Sequence, residues 1–158
     1  MNHAAGARAA LPPWTAALGY GGLVPFVACA LASLALPEPE WRQVAGRVLL
    51  GYGAVILSFL GGVHWGLVLA GRPAKSGGML AVGVLPSLAG WATLLMPLET
   101  AIAVQVGGFG GLWLYEHRVL GPGVLPTAYI AMRRWLTLVA CASLAVVLMA
   151  PALSTARL

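Results

Sequence analysis

The chain has 158 residues, of which 60% are hydrophobic and only 8% are charged. A soluble globular domain carries about 25% charged residues, so this composition excludes a soluble protein and predicts a single all-α, polytopic membrane domain. The net charge of +5 does not indicate nucleic-acid binding, because the nine basic residues lie between apolar runs, where they set topology and meet anionic lipid head groups.

Five apolar runs predict a compact bundle of five transmembrane helices. The predicted spans are residues 14–36, 48–70, 79–96, 101–115 and 129–150. The connections between them are expected to be loops or turns, at residues 37–43, 71–78, 97–100 and 116–128. The domain organisation that follows is an N-terminal leader, a single transmembrane domain and a C-terminal tail, at residues 1–13, 14–151 and 152–158. Pro25 and Pro86 lie inside spans and are expected to kink them.

The second span, residues 48–70, contains a single ionisable side chain, His64. Its small residues recur every four positions: Ala54, Ser58, Gly62, Gly66 and Ala70. Such a strip lets a neighbouring helix approach closely, and leucine at Gly62 or Gly66 is expected to push that helix away. At 100° per residue, His64 lies roughly 160° around the helix from the middle of the strip. The second helix is therefore predicted to be central, with two occupied sides.

The basic residues predict the orientation of the bundle. Six of the nine lie on the side of the N-terminus: Arg8, Arg72, Lys75, Arg118, Arg133 and Arg134. The opposite side has Arg42, Arg47 and Arg157. Because basic residues concentrate on the cytoplasmic side of a membrane protein, the N-terminus is predicted to be cytoplasmic.

His64 is the main candidate for a functional residue, because ionisable groups inside a span are costly and usually face the bundle interior or a cavity. Three interpretations remain open: a neutral histidine that hydrogen-bonds between helices, a polar functional site such as a proton relay, or a ligand to metal or haem.

Glu116, Tyr129 and Arg133 are predicted on the same side of the membrane as His64. With it they could form a polar inner vestibule, although an interfacial Glu–Arg ion pair is a simpler interpretation. We expect His64 to be shielded from lipid and within one hydrogen bond, or one bridging water, of Glu116 or Tyr129. We also expect it to be neutral at pH 7, since the span ends place Glu116 nearer the interface.

No metal, cofactor or enzymatic activity is predicted. No second intramembrane His, Asp or Glu stands three or four residues from His64, so metal-ligand spacing is lacking. Cys29 and Cys141 lie in apolar runs and are interpreted as small buried residues. Motifs of hydrolases and ATP-driven proteins are absent from the sequence.

Four stretches resemble one protein family. They are LGYGGLVPF (18–26), YGAVILSFLGGVHWG (52–66), LPSLAGW (85–91) and the pattern Pro126–Tyr129–Arg133–Leu136–Thr137. The family is typified by mitochondrial transmembrane protein 69 and includes proteobacterial relatives that share a domain of unknown function. The resemblance covers roughly residues 11–148. It implies a helical protein of a bacterial inner (plasma) membrane, or of the mitochondrial inner membrane in a eukaryote, and it supplies no activity, substrate or catalytic residue.

Three classes of function are compatible with these features, the least favoured of them a membrane enzyme or a haem-binding protein. The absence of chemical motifs and the short loops favour a membrane-embedded interaction or assembly protein, whose partners would be the lipid bilayer and another membrane protein. The alternative is a small transporter or proton-conducting unit that uses the polar vestibule around His64. The sequence does not determine the oligomeric state.

Overall fold

The computed structural model describes residues 11–71 and 76–155, and within them the chain is all-helical. The elements are α1 (Pro13–Gly21), α2 (Val24–Ala35), α3 (Pro39–Leu69), α4 (Ser76–Thr93), α5 (Leu98–Tyr115), a π-helix (Glu116–Leu120), α6 (Gly121–Val124) and α7 (Thr127–Thr155). Most of the predicted leader, residues 72–75 of the predicted basic loop and the last three residues of the predicted tail lie outside the described residues.

Three helical stretches are long and apolar enough to cross a membrane: Pro13–Ala35, Pro39–Leu69 and Thr127–Met149. The third and fourth predicted spans correspond to α4 and α5, which have 18 residues each. The protein is therefore an all-α membrane protein with three clear candidate spans among its described residues, and each predicted span has a helix at its position.

The connections are more helical than the sequence predicted. Helix α3 begins at Pro39, inside the predicted loop 37–43, because a proline in the first helical turn loses no hydrogen bond there. The π-helix and α6 occupy most of the loop predicted for 116–128. Helix α7 continues to Thr155, into the predicted tail. A helix end that extends into the membrane interface keeps its backbone groups paired, which favours these extensions.

The first span is broken between α1 and α2. Pro25 has no backbone N–H, so it cannot continue the hydrogen-bond ladder of α1, and it lies in the first turn of α2. The Tyr52 hydroxyl of α3 donates a hydrogen bond to the Gly22 carbonyl at 2.9 Å, which satisfies an acceptor at the break. Pro86, in contrast, lies within the continuous helix α4.

Among the described residues, a close backbone-to-backbone contact joins α3 to α4. A Cβ added to Gly61 would overlap the carbonyl oxygen of Gly83, and a Cβ added to Gly90 would lie 3.0 Å from the Cα of Ala54. Ala54 and Gly61 are seven residues apart on α3, and Gly83 and Gly90 are seven apart on α4. The two helices therefore pack backbone to backbone along a seven-residue repeat, as small residues permit in membranes.

The predicted small-residue strip lies only partly in this contact. Of its members, Ala54 packs against α4, while Ser58 donates a hydrogen bond to the carbonyl of its own helix at Ala54, at 2.9 Å. Gly62, Gly66 and Ala70 are exposed, and no described atom lies within 4 Å of a Cβ built on Gly62 or Gly66. The predicted approach of another helix at Gly62 and Gly66 is therefore not made within the described chain. The occupied side of α3 is instead the side that carries Gly53, Gly61 and His64.

Candidate functional site

The candidate site lies where the inward faces of three helices meet at one end of the bundle. On α3 the buried residues follow a three-and-four spacing, which keeps them on one side of the helix: Leu50, Gly53, Leu57, Leu60 and His64. His64 is the last buried residue of this face, about one turn before the helix ends. It is therefore buried among protein side chains, with only 1% of its surface exposed.

Helix α5 and the π-helix position Glu116. The buried face of this segment runs through Gln105, Phe109, Leu112, Glu116 and Leu120. Glu116 continues the inward face of α5, whereas His117 and Arg118 beside it are exposed. A π-helical turn begins at Glu116, and such turns occur frequently at functional sites. The carboxylate is thus directed inward, with 2% of the residue exposed.

Helix α7 contributes the basic residue of the site. Its inward face runs through Arg133, Thr137, Ala140, Leu144 and Val147, again with alternating spacings of four and three. Arg133 lies near the start of α7 and is 3% exposed. Its neighbour Arg134 is exposed, and its guanidinium lies over the ring of Trp135 at 5.8 Å.

The three side chains form a buried row in which Glu116 is central. Arg133 Nε donates a hydrogen bond to Glu116 Oε2 at 3.0 Å. The other carboxylate oxygen, Oε1, lies 4.0 Å from His64 Nε2. The second ring nitrogen of His64, Nδ1, lies 3.1 Å from the carbonyl oxygen of Leu60. The carboxylate therefore faces a guanidinium on one side and an imidazole on the other.

Several polar atoms of this row have no hydrogen-bond partner among the described residues, although they are buried. They are His64 Nε2, Glu116 Oε1, Arg133 NH2 and, one turn further along α7, Thr137 Oγ1. Buried polar groups are normally paired, since an unpaired one costs about 1–3 kcal/mol. The unpaired atoms therefore distinguish this cluster from a fully satisfied structural ion pair.

Two tyrosines border the row. The ring of Tyr115 lies 5.7 Å from that of His64, centroid to centroid. Tyr129 packs against the small apolar cluster that contains Met79 and Leu125, and it interacts electrostatically with Glu116 and Arg133. The four residues predicted as a polar vestibule thus lie in one region of the structure. Glu116 is buried in the protein with its Oε1 4.0 Å from His64 Nε2, and the neutral state expected of His64 stays a prediction.

Tyr115 is a neighbour of His64 that the sequence reasoning missed. Its position directly before Glu116, at the end of an inward helical face, is a signal that could have identified it. A separate polar network lies deeper along α5, where the Gln105 side-chain amide donates to the carbonyl of Leu50 at 2.8 Å and to Thr93 Oγ1 at 3.0 Å. This network links α3, α4 and α5 through hydrogen bonds between helices.

The chemistry available at the site is proton exchange and ion pairing. Among the described residues, no group of three or more His, Cys, Asp or Glu is arranged to hold a metal ion. Among the side chains that the structure describes, no serine or cysteine is hydrogen-bonded to His64. The imidazole of this row can bind and release a proton. The Glu116 carboxylate can pair with Arg133 alone or with both Arg133 and a protonated His64.

Comparison with known proteins shows that the chain is similar to transmembrane proteins. Residues 11–149 match the family described as protein of unknown function (DUF3429). Transmembrane protein 69 of Xenopus tropicalis is 39% identical over 136 residues, which cover 80% of this chain and 50% of that protein. Transmembrane protein 69 of Mus musculus is 37% identical over 131 residues, which cover 80% of this chain and 52% of that protein. The chain thus spans about half the length of these relatives.

A shorter similarity is to DNA translocase FtsK of Streptomyces coelicolor, which is 36% identical over 69 residues. These residues cover 44% of this chain and 7% of that protein, so the match carries no argument about activity. No solved structure matches the chain significantly.

Proposed function

The chain belongs to the family described as protein of unknown function (DUF3429), and from that premise we propose that it is a small transporter or proton-conducting unit whose working site is the row His64–Glu116–Arg133. The observation that carries the proposal is the complete burial of three ionisable side chains in a membrane protein that keeps unpaired polar atoms between them. Ionisable groups inside membrane spans usually face the bundle interior or a water-filled cavity, and they mark ion pathways and proton relays.

The energetics of the row support a working site rather than a structural one. A histidine that only links helices would have each ring nitrogen in a hydrogen bond, whereas His64 Nε2 faces a carboxylate oxygen 4.0 Å away. Replacing a buried ion pair by apolar residues is often neutral or stabilising. Aliphatic side chains would be sufficient to stabilise the bundle at this position, so the buried charges indicate a functional role.

The proposal includes five membrane crossings. Helices α4 and α5 have 18 residues each, which at 1.5 Å per residue gives about 27 Å, close to the 30 Å hydrocarbon core of a bilayer. Helix α4 packs against both α3 and α5, so it is held within the bundle. Five crossings place the two chain ends on opposite sides of the membrane.

The proposed orientation places the row at the cytoplasmic end. Arg118 and Arg134 are exposed at this end of the bundle, whereas the opposite end carries Arg42 and Arg47 together with Glu38, Glu40 and Glu99. Six of the nine basic residues in the sequence are assigned to the end of the row and three to the other, which supports a cytoplasmic position for the end at which α1 begins. The compartment proposed is the bacterial inner (plasma) membrane, or the mitochondrial inner membrane in a eukaryote. Reporter fusions after residues 75 and 118 should read cytoplasm, and a fusion at residue 38 the opposite side.

Proton flux in proteoliposomes tests the proposed function. Purified protein is reconstituted with an internal pH-sensitive dye, and a potassium diffusion potential drives protons inward. We expect flux above that of protein-free liposomes, reduced at least about tenfold by His64→Gln and unchanged by His117→Gln. His117 is a matched control, because it is an exposed histidine next to the same site. Flux equal to that of empty liposomes, with and without candidate solutes, would overturn the proposal.

A second candidate function is that of a membrane-embedded interaction or assembly protein. The observation that favours it is an outer surface of glycines without described neighbours, at Gly62 and Gly66 on α3 and at Gly107 and Gly111 on α5. Small residues on a lipid-facing surface allow another helix to approach closely. A stoichiometric partner that co-purifies with the wild type and is lost on Gly66→Leu, without a change in the unfolding midpoint, would favour this function over transport.

A further inference from the structure

The hydrogen bond of His64 determines which ring nitrogen is available for exchange. Nδ1 lies 3.1 Å from the carbonyl oxygen of Leu60, and a carbonyl can only accept a hydrogen bond. Nδ1 must therefore carry a hydrogen in every protonation state of the ring. The nitrogen that gains or loses a proton is Nε2, which is buried, has no described hydrogen-bond partner, and faces Glu116.

Without an added proton, the space between His64 and Glu116 contains only acceptors. Nε2 of the neutral imidazole presents a lone pair, and Oε1 of the carboxylate presents lone pairs 4.0 Å away. One proton on Nε2 converts this contact into an imidazolium–carboxylate pair. The row then changes from a net charge of zero, from Arg133 and Glu116, to a net charge of plus one.

The two oxygens of the Glu116 carboxylate face two different side chains. Oε2 accepts a hydrogen bond from Arg133 Nε, while Oε1 is left for His64. The Arg133 guanidinium holds Oε2 through this hydrogen bond, which directs the other carboxylate oxygen towards His64. We therefore describe Arg133 as a positioning residue and Glu116 as the counter-ion of the loaded state.

The charged and titratable groups around His64 come from few elements. Among the described residues, Tyr115 comes from α5, Glu116 from the π-helix, and Tyr129 and Arg133 from α7. Helices α2 and α4, which also pack against α3, carry no Asp, Glu, Lys, Arg or His in their sequences. Glu116 is thus the one acidic side chain within reach of the imidazole among these groups.

We propose that the space between His64 Nε2 and Glu116 Oε1 is a binding site for a single exchangeable proton. Loading forms an Nε2–H bond between the ring lone pair and a proton of a hydronium ion on the cytoplasmic side, whose O–H bond breaks to leave water. Release returns that proton to water and restores the lone pair, with no other bond changed. This inference deepens the proposed function and rests on it for its use in transport, since it identifies the proton as the ligand of the site.

Nitrogen-15 NMR of histidine-labelled protein in lipid nanodiscs tests the inference without any flux measurement. The His64 signal is identified by its loss in His64→Gln, and the exposed His117 serves as an internal reference. Between pH 5 and pH 8, we expect the Nε2 signal of His64 to change from the imidazolium to the imidazole form, with Nδ1 protonated throughout. A His64 signal that stays in one form across this range would overturn the inference.

Substitutions of Glu116 provide the second arm. We expect Glu116→Gln to lower the ratio of imidazolium to imidazole at a given pH by about tenfold or more, as loss of a contacting opposite charge predicts. Glu99→Gln, the same change at the exposed opposite end of α5, should leave the ratio unchanged. If Glu116→Gln does not fold, Glu116→Asp withdraws the carboxylate by one methylene and should lower the ratio in the same direction.

The outcomes separate the two proposals. If His64 titrates in the NMR experiment but no flux is measured in proteoliposomes, the proposed transport function is overturned and the proposed proton site still holds. Flux with a His64 ratio that does not respond to Glu116→Gln or Glu116→Asp would overturn the proton site as described here.

Discussion

Gly61→Ala, compared with Gly62→Ala, tests how α3 and α4 pack. A Cβ on Gly61 would overlap the carbonyl oxygen of Gly83 and lie 3.2 Å from its carbonyl carbon. A Cβ on Gly62, the next residue of the same helix, has no described atom within 4 Å. The obstructing atoms at Gly83 belong to the backbone and cannot rotate away, so α3 and α4 must separate to admit the methyl group at Gly61.

The expected difference in stability follows from this overlap. Overpacking a tight interface costs about 1–3 kcal/mol. Both variants replace glycine by alanine inside α3, so the gain in helix propensity, about 1 kcal/mol, is common to them and cancels in the comparison. We therefore expect Gly61→Ala to be less stable than Gly62→Ala by about 2–3 kcal/mol, in the upper part of the overpacking range.

Thermal and denaturant unfolding in mild detergent, followed by tryptophan fluorescence, measures this difference. At about 2–4 °C per kcal/mol for a domain of this size, the unfolding midpoint of Gly61→Ala should lie about 4–12 °C below that of Gly62→Ala. Equal midpoints, or a lower midpoint for Gly62→Ala, would falsify the close approach at Gly61. The second result would also restore the packing that the small-residue strip predicted.

Three further substitutions test the polar contacts of the bundle by the same unfolding assay. Arg133→Ala leaves the buried Glu116 carboxylate unpaired and should lower the free energy of unfolding by about 3–5 kcal/mol. Arg134→Ala removes an exposed side chain and should lower it by less than about 0.5 kcal/mol. Similar losses of stability in the two variants would mean that the two arginines are equally exposed. Tyr52→Phe removes the hydroxyl that donates to the carbonyl at the α1–α2 break and should cost about 1 kcal/mol; no loss would argue against that hydrogen bond. Gln105→Leu should lower the free energy of unfolding by about 1 kcal/mol. Gln105→Ala should lower it clearly more, because the alanine variant also leaves a cavity. The reverse order would contradict a packed amide at this position.

The sequence by itself determined the class of the protein and the positions of its helices. Long uncharged runs can satisfy their backbone only as helices in lipid, so hydropathy alone identified the membrane class, and a helix lies at each predicted span. The family could also be recognised from the sequence, since its motifs are local stretches of residues. Helix ends were less accurate, because helices extend into polar connections wherever their backbone hydrogen bonds remain internal.

Only the tertiary structure decided which side of each helix meets protein. In a soluble protein the buried side is apolar and the exposed side polar, but in a membrane both sides are apolar. Glycine at 61 and glycine at 62 are therefore equivalent in the sequence, yet one contacts Gly83 and the other has no described neighbour.

The same reason explains what could be predicted of the candidate site. The sequence singled out His64, Glu116 and Arg133 because charged residues in apolar surroundings are conspicuous. It could not place Glu116 within 4.0 Å of His64, or distinguish the buried Arg133 from the exposed Arg134, because these facts depend on how α3, α5 and α7 rotate against one another. That rotation is set by close packing between distant segments, which no local pattern of residues specifies.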